Sequence, residues 1–271
     1  MKGIKTLWVR VSLLLIFVFA LNVWGQEEKT FSFVVVSDLH IGEKNGAEKF
    51  KFFLKQIEAI KPEPDFIVIT GDIHAEPFAK VYNEIKPKYR FYVAFGNHEK
   101  KGDRDLLTQL LNLPTSSQDF YAFVHKGVKF IFLCTASNFG DHVGHFESEG
   151  IRGDNQQKWF ENELNIDRDK VRLCFVFAHI PPSKFGEAES MYLATNDQKA
   201  LREIFKTYKP TALFCGHLHR RSEFEIEDVP VFILPSANWN FDNDPPGFFV
   251  VSVDRHQWKT DFVKITYPPE L

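Results

Sequence analysis

Phe33-Val34-Val35-Val36-Ser37-Asp38-Leu39-His40 joins an unbroken apolar, β-branched run to a carboxylate and an imidazole two positions apart. A short run of this kind reads as a strand buried on both faces. The residues after it read as a loop that carries chemistry. Four more segments repeat the arrangement. Phe66 to Thr70 runs into Gly71-Asp72, Phe91 to Phe95 into Gly96-Asn97-His98-Glu99, Leu173 to Ala178 into His179, and Thr211 to Cys215 into Gly216-His217-Leu218-His219. Strands that each end in a ligand-bearing loop are how an α/β fold gathers functional groups at one sheet edge. One such cluster is weak evidence; five in one chain are strong.

The residue types specify the chemistry. Carboxylate and imidazole suit borderline divalent or trivalent ions such as manganese, iron and zinc, and these loops do not choose between them. Asp38, His40, Asp72, Asn97, His179, His217 and His219 are too many donors for one tetrahedral ion. Two ions sharing a carboxylate account for them. Such a pair, about 3.5–4 Å apart, activates a hydroxide and clamps both the attacking and the leaving oxygen of an in-line displacement at phosphorus. Asn97, as a neutral oxygen donor, limits the negative charge that a phosphate would meet.

The blocks Asp38-Leu39-His40, Gly71-Asp72, Gly96-Asn97-His98-Glu99, His179 and Gly216-His217-Leu218-His219 resemble, in order and wording, those of the calcineurin-like metallophosphoesterases. The resemblance runs from about Phe31 to Tyr267. It implies one ion held by Asp38, His40 and His219, a second held by Asn97, His179 and His217, and Asp72 bridging them. His98 would lie just outside the metals, where it can stabilise developing charge or protonate the leaving oxygen. Glu99 stands where many relatives have Asp. The purple acid phosphatase branch lacks the first-block histidine, so His40 sets this chain apart from it. The implied fold is α/β, a two-sheet β-sandwich flanked by helices.

The N-terminus reads differently. Lys2, Lys5 and Arg10 precede an apolar stretch from Val11 to Trp24, interrupted only by Ser12 and Asn22, with Gly25 before Gln26. This is the pattern of a secretory signal peptide over residues 1–25. The stretch is shorter than the roughly 20 residues a spanning helix prefers. Secretion, or export to a periplasm, is therefore expected, with an uncleaved anchor as the alternative and no stable membrane association after cleavage. Residues 26–271 form the single remaining domain. Cleavage would remove three cations and take the formal net charge from −3 to −6. An acidic chain is not preorganised for a nucleic-acid backbone, so a small phosphorylated substrate is expected and a stable nucleic-acid partner is not. Cys134, Cys174 and Cys215 lie in apolar runs and read as buried small hydrophobes rather than a disulfide framework. The 29 Phe read first as core packing.

Between the blocks, Ala47 to Ile60 carries Phe50, Phe53, Leu54, Ile57 and Ile60 at helical spacing. Glu76 to Ile85, Asp103 to Leu111, Asp154 to Leu164 (with Asp154 as N-cap) and Asp197 to Tyr208 are further helices. Asp119 to Cys134 reads as a hairpin turning at Lys126-Gly127, and four strand-like runs follow Arg221. The irregular stretch 136–153 either covers one side of the metal site or is a solvated loop. His74 reads as a loop residue or a pocket group, and Asn238-Trp239-Asn240 as pocket rim or packing. His125 and His256 have no cluster around them. The expected activity is a dimetal phosphoesterase acting on small phosphomonoesters or phosphodiesters. The alternative is an extracellular metal-dependent nuclease, because Gly71-Asp72-Ile73-His74 resembles the corresponding block of the superfamily's DNA double-strand-break repair nuclease.

Overall fold

The computed structural model describes residues 30–115, 119–137, 139–145, 155–166, 168–185, 190–241 and 243–271. The expected leader over 1–25 lies outside the described residues, as do residues 138 and 146–153 of the 136–153 stretch. Strand β1 (Phe31–Val36) is buried along its whole length, as an apolar run with no alternation requires. It lies parallel to β2 (Phe66–Ile69), which pairs in parallel with β3 (Arg90–Val93). Helices α1 (Gly46–Glu58), α2 (Ala75–Ile85) and α3 (Lys101–Leu111) follow these strands in turn. The expected 3.6-residue spacing on α1 is realised, with Phe50, Phe53, Leu54 and Ile57 on its buried face.

The hairpin at Lys126-Gly127 forms as β4 (Tyr121–His125) and β5 (Val128–Phe132). It opens a second sheet that continues through α4 (Gln156–Asn165), β6 (Leu173–Phe177), α5 (Thr195–Tyr208), β7 (Ala212–Cys215), β8 (Ser222–Ile226) and β9 (Val229–Ile233). The last strands, β10 (Gly247–Asp254) and β11 (Gln257–Lys264), return to the first sheet. The sheet orders are β11-β10-β1-β2-β3 and β4-β5-β6-β7-β9-β8, both mixed. One expectation needs correction: the α4 cap is Asn155, whose side chain accepts the Lys158 N–H at 2.7 Å, rather than Asp154.

Phenylalanine joins the layers. Phe33 and Phe66 of the first sheet meet Phe130 of the second edge-to-face at 5.2 Å, and Phe33 meets Phe175 at 5.4 Å. Such pairs add about 0.5–1.5 kcal/mol each beyond their buried area. The three cysteines form no disulfide. His125 has a partner that the sequence did not suggest, Asp65 Oδ2 at 2.7 Å, linking the hairpin to the turn before β2. No helix among the described residues is long and apolar enough to cross a membrane. β1, β2 and β3 from one sheet and β6 and β7 from the other all end at the same edge of the sandwich. The five ligand blocks follow those five ends.

Candidate metal centre

Ladder-like backbone bonds continue past the strands and align the loops. Asp38 N–H donates to Gly71 O at 3.1 Å, His40 N–H to Asp72 O at 3.0 Å, and Gly216 N–H to His179 O at 3.0 Å. Beyond the strands the chain turns sharply: Asp38, His40, Asp72, His217 and His219 all have positive φ, between 40° and 73°. Left-handed backbone at non-glycine residues costs on the order of 1–3 kcal/mol each and clusters where function requires it. Two glycines allow the loops to touch. A Cβ on Gly96 would overlap the Asp72 carboxylate, and one on Gly216 would overlap Ser37 Oγ and Asp38 Oδ2.

All seven expected ligands converge, and each is at most 5% exposed. In the first group, His219 Nε2 lies 3.1 Å from His40 Nε2 and 3.3 Å from Asp38 Oδ1. In the second, His179 Nε2 lies 3.1 Å from Asn97 Oδ1, 3.2 Å from His217 Nδ1 and 3.2 Å from Asp72 Oδ2. Asp72 Oδ2 is also 3.9 Å from His40 Nε2, so this oxygen faces both groups. Nitrogens 2.0–2.1 Å from a tetrahedral ion are about 3.3–3.4 Å apart, a little more than the 3.1 and 3.2 Å between the facing nitrogens here.

The surroundings fix which atom of each side chain points inward. The outward nitrogens of His179, His219 and His217 bond to Thr70 O at 2.6 Å, Trp239 O at 2.8 Å and His142 O at 3.1 Å. Carbonyls only accept, so each of these outward nitrogens carries a proton, and the inward nitrogen is the one left to meet an ion or, in its absence, a second proton. The carboxylates are divided in the same way. Asp72 Oδ1 accepts His98 N–H at 3.0 Å and Asp38 Oδ2 accepts His217 N–H at 3.1 Å, leaving Asp72 Oδ2 and Asp38 Oδ1 facing inward. Asp38 Oδ1 is buried and has no hydrogen-bond partner among the described residues. His219 Nε2 and a carboxylate oxygen 3.3 Å apart call for a cation between them, a metal ion or else a proton on His219, whose imidazole Asp38 pushes up against the effect of burial. The donor set fits two metal ions.

Electrostatics agree. Burial holds His40 near 4 and His217 near 3, so both are neutral donors at physiological pH. Burial acts to raise Asp72, but His179, His98 and His40 outweigh it and keep the carboxyl well below its ordinary range. Burial likewise opposes charge on His179, and the Asp72 and Asp38 carboxylates overcome it and push that imidazole up to about 9. In the metal-free protein a proton therefore occupies a ligand nitrogen that an ion would displace.

His98 stands at the edge of the group, its side chain 39% exposed and its Nε2 3.9 Å from Asp72 Oδ2. It is the exposed imidazole of the five blocks, the other four being buried. His74 packs against both His40 and His98, with ring centroids 4.9 and 5.2 Å apart. Of the rim residues, Trp239 packs against His219 with centroids 4.2 Å apart and planes tilted by 53°, and Lys44 Nζ lies 4.0 Å above its ring, while Asn238 Nδ2 donates to His40 O and Glu43 O. From the 136–153 stretch, His142 lies over the second group through its bond with His217.

Two residues have supporting roles that the sequence reading did not assign. Glu99 is fully buried, and its carboxylate accepts four backbone N–H groups, from Asp72, Ile73, His74 and Gly96, at 2.7 to 3.3 Å. It fastens the second ligand loop to the third. Arg104, also fully buried, donates to Glu99 O, Ala136 O and Ser137 O and pairs with Asp119. The available signal was a charged residue on the apolar stripe of α3, where Arg104, Leu107 and Leu111 are the buried positions.

Comparison with known proteins agrees with this geometry. The chain is 28% identical over 254 residues to a probable glycerophosphodiester phosphodiesterase of Arcobacter nitrofigilis, covering 83% of this chain and 88% of the relative. It is 23% identical over 230 residues to a probable cyclic nucleotide phosphodiesterase of Fibrobacter succinogenes, covering 80% and 83%. A dimetal phosphatase from Danio rerio superposes with a TM-score of 0.62 at 15% identity, over 87% of this chain and 99% of that one, so the fold is shared. Residues 31–221 match the calcineurin-like phosphoesterase family. With its ligand blocks converged on one edge of a two-sheet sandwich, the chain belongs to that family and is a dimetal phosphoesterase.

Proposed function

We propose that this phosphoesterase acts on small phosphodiesters and works outside the cytoplasm. The single observation carrying the two-ion reading is the position of Asp72 Oδ2, 3.2 Å from His179 Nε2 and 3.9 Å from His40 Nε2, facing both ligand groups. Asp38, His40 and His219 would hold one ion, Asn97, His179 and His217 the other, with Asp72 shared. When bound, the ions supply Lewis acidity and charge neutralisation at phosphorus.

The chain's own groups do the rest. His98 Nε2 reaches over the shared carboxylate from a solvent-open position, where it gives a proton to the departing alkoxide or stabilises its charge. Asp72 and Asp38 remain ionised and fix the ligand imidazoles. Trp239 and Lys44 form an aromatic and cationic rim beside His219, suited to the second arm of a diester. Support for a diester over a monoester comes from the relatives named as phosphodiesterases. Support for export is the basic and apolar pattern of residues 1–25.

Turnover of bis-p-nitrophenyl phosphate against p-nitrophenyl phosphate tests the reading. The diester should be preferred, activity should disappear with a chelator, and it should return on adding manganese, zinc or iron. Preference for the monoester overturns the diester assignment, and chelator resistance overturns the metal assignment. Cleavage after Gly25 is read separately, from the N-terminal sequence of protein recovered outside the cytoplasm; an intact leader there refutes it.

A further inference from the structure

His40 has a second ring nitrogen, and it faces another cluster. With Nε2 turned toward Asp38 and His219, its Nδ1 points away from the two-ion centre and lies 3.2 Å from His74 Nε2. His98 Nδ1 approaches that same nitrogen to 3.3 Å. Glu43 Oε1 is 3.8 Å from His40 Nδ1 and 3.7 Å from His74 Nε2. The three ring nitrogens lie within 4.8 Å of one another.

Hydrogen bonding satisfies only part of this arrangement. One ring nitrogen has a single in-plane direction for a proton or lone pair. His74 Nε2 can therefore donate one proton to one of these neighbours, or share one lone pair between His40 and His98. A cation satisfies both contacts at once. The two-ion centre supplies an internal yardstick: its donor pairs are 3.1 to 3.3 Å apart, and those around His74 are 3.2 and 3.3 Å apart. Both are close to the roughly 3.3–3.4 Å edge of a tetrahedral nitrogen site, and Glu43 Oε1, at 3.7 and 3.8 Å, needs only a small side-chain movement to reach it.

We propose a third metal site, for zinc or a similar borderline transition ion, formed by His74 Nε2, His98 Nδ1 and Glu43 Oε1 at the rim of the catalytic centre. His40 Nδ1 completes it when its proton leaves to bulk water, so that this imidazole links the third ion to the first. Imidazole-rich donors select zinc-like ions over magnesium. Glu43 sits on a fixed turn, with Glu43 N–H bonded to His40 O at 2.9 Å and Glu43 O accepting from Asn238 Nδ2 at 3.0 Å. The Glu43 and His98 side chains are each 39% exposed, which gives an ion a path in from solvent.

The consequence is inhibition. An ion on His98 Nδ1 adds a cation at the mouth of the centre and fixes the His98 ring in the cluster, which takes it from its role at the leaving oxygen. Excess zinc should switch the enzyme off while the two catalytic ions stay in place. Binding rests on the cluster alone; inhibition rests on the role proposed above for His98.

The test dialyses holoenzyme, already loaded with two ions, against rising free zinc, and measures bound metal and diester turnover together. A third, weaker equivalent should appear as turnover falls. Glu43→Gln and His74→Phe should each weaken that equivalent on the order of tenfold or more, relieve inhibition to match, and keep the two tighter ions. No third equivalent at millimolar zinc, a third equivalent retained by both variants, or loss of a tighter ion instead would each overturn the site. A third ion that binds, is lost in the variants and leaves turnover intact upholds the site and overturns the acid role of His98. If fewer than two tight ions bind, the dimetal reading fails, yet a weak equivalent lost in both variants still reports this cluster. Glu43→Gln changes an exposed carboxylate and carries the test if His74→Phe does not fold.

Discussion

Glu99→Gln removes a charge without changing shape, at a residue that touches neither ion. Oε2 accepts Asp72 N–H at 2.9 Å and Gly96 N–H at 2.8 Å, and Oε1 accepts Ile73 N–H at 2.7 Å and His74 N–H at 3.3 Å. Every hydrogen faces the carboxylate, so an amide must set its own N–H groups against two backbone donors on one branch. Hydrogen bonds to charged groups contribute about 1.5–3 kcal/mol each, so two lost bonds amount to roughly 3–6 kcal/mol. A domain with about 5–15 kcal/mol of stability feels that strongly. Because Glu99 is fully buried, solvent does not soften the loss. Urea unfolding of the metal-free protein should show a much lower midpoint with an unchanged slope, and metal affinity should fall because the Asp72 and Asn97 loops are no longer joined. Burial and the nearby Asp72 carboxylate push the Glu99 pKa up, against the N–H bonds of Gly96 and Ile73. If that push left Glu99 protonated, a glutamine would be a near-equal replacement. A variant within about 1 kcal/mol of the parent would refute the charged clasp.

His98→Asn should keep both tight ions and lose on the order of 10²–10⁴-fold in turnover for an alkyl leaving group, with a far smaller loss for p-nitrophenolate; equal losses with one ion missing would remove the acid role. Asp72→Asn should cause the largest activity loss of any single ligand change and lower bound metal below two ions, as elemental analysis would show. In the metal-free protein His179 is pushed up to about 9, from an ordinary value near 6.5. Its protonated form therefore stabilises the fold fully below about pH 6.5, and that stability is lost as pH rises through about 9, read by unfolding midpoints across the interval. Metal binding at pH 7–8 should release about one proton from this nitrogen, measured calorimetrically in buffers of different ionisation enthalpy. Arg104→Met takes the buried cation from beside Asp119 and the donor from three carbonyls, costing about 3–5 kcal/mol by denaturant titration.

The ligand blocks were legible because two strong signals coincide in each. A buried strand shows as an apolar run, and a metal ligand shows as a carboxylate or imidazole just after it, so Val36 to His40 or Phe214 to His219 can be read from neighbouring residues alone. The helices were legible through their apolar stripes, although the cap of α4 is Asn155 rather than Asp154, because Asp and Asn cap by the same chemistry. Glu99 and Arg104 were harder to read because their partners are backbone atoms of distant segments. A carboxylate that accepts four N–H groups looks the same in sequence as one that meets solvent. His74 was visible but undecided, since its significance depends on where the rings of His40 and His98 point.

These less legible residues explain how the ligands stand in costly positions at all. Five ligands occupy left-handed backbone, and two carboxylates lie among four buried histidines. Metal ions alone do not account for that arrangement, because much of the bonding that imposes it involves no metal. Glu99 joins the Asp72 loop to the Asn97 loop, Arg104 ties Glu99 to the segment after β5, and Ser236 Oγ holds Asp38 O at 2.7 Å. Lys49 Nζ donates to both oxygens of Asn238, whose amide in turn holds His40 O. Each contact fixes a ligand loop through its backbone and leaves the inward oxygen or nitrogen unengaged. The scaffold therefore sets donor positions before any ion arrives, and the ion competes mainly with protons, such as the one on His179, rather than with a rearranging loop. The same rigidity makes the His74 cluster consequential, because nitrogens held 3.2 and 3.3 Å apart cannot easily move aside from a cation that enters between them.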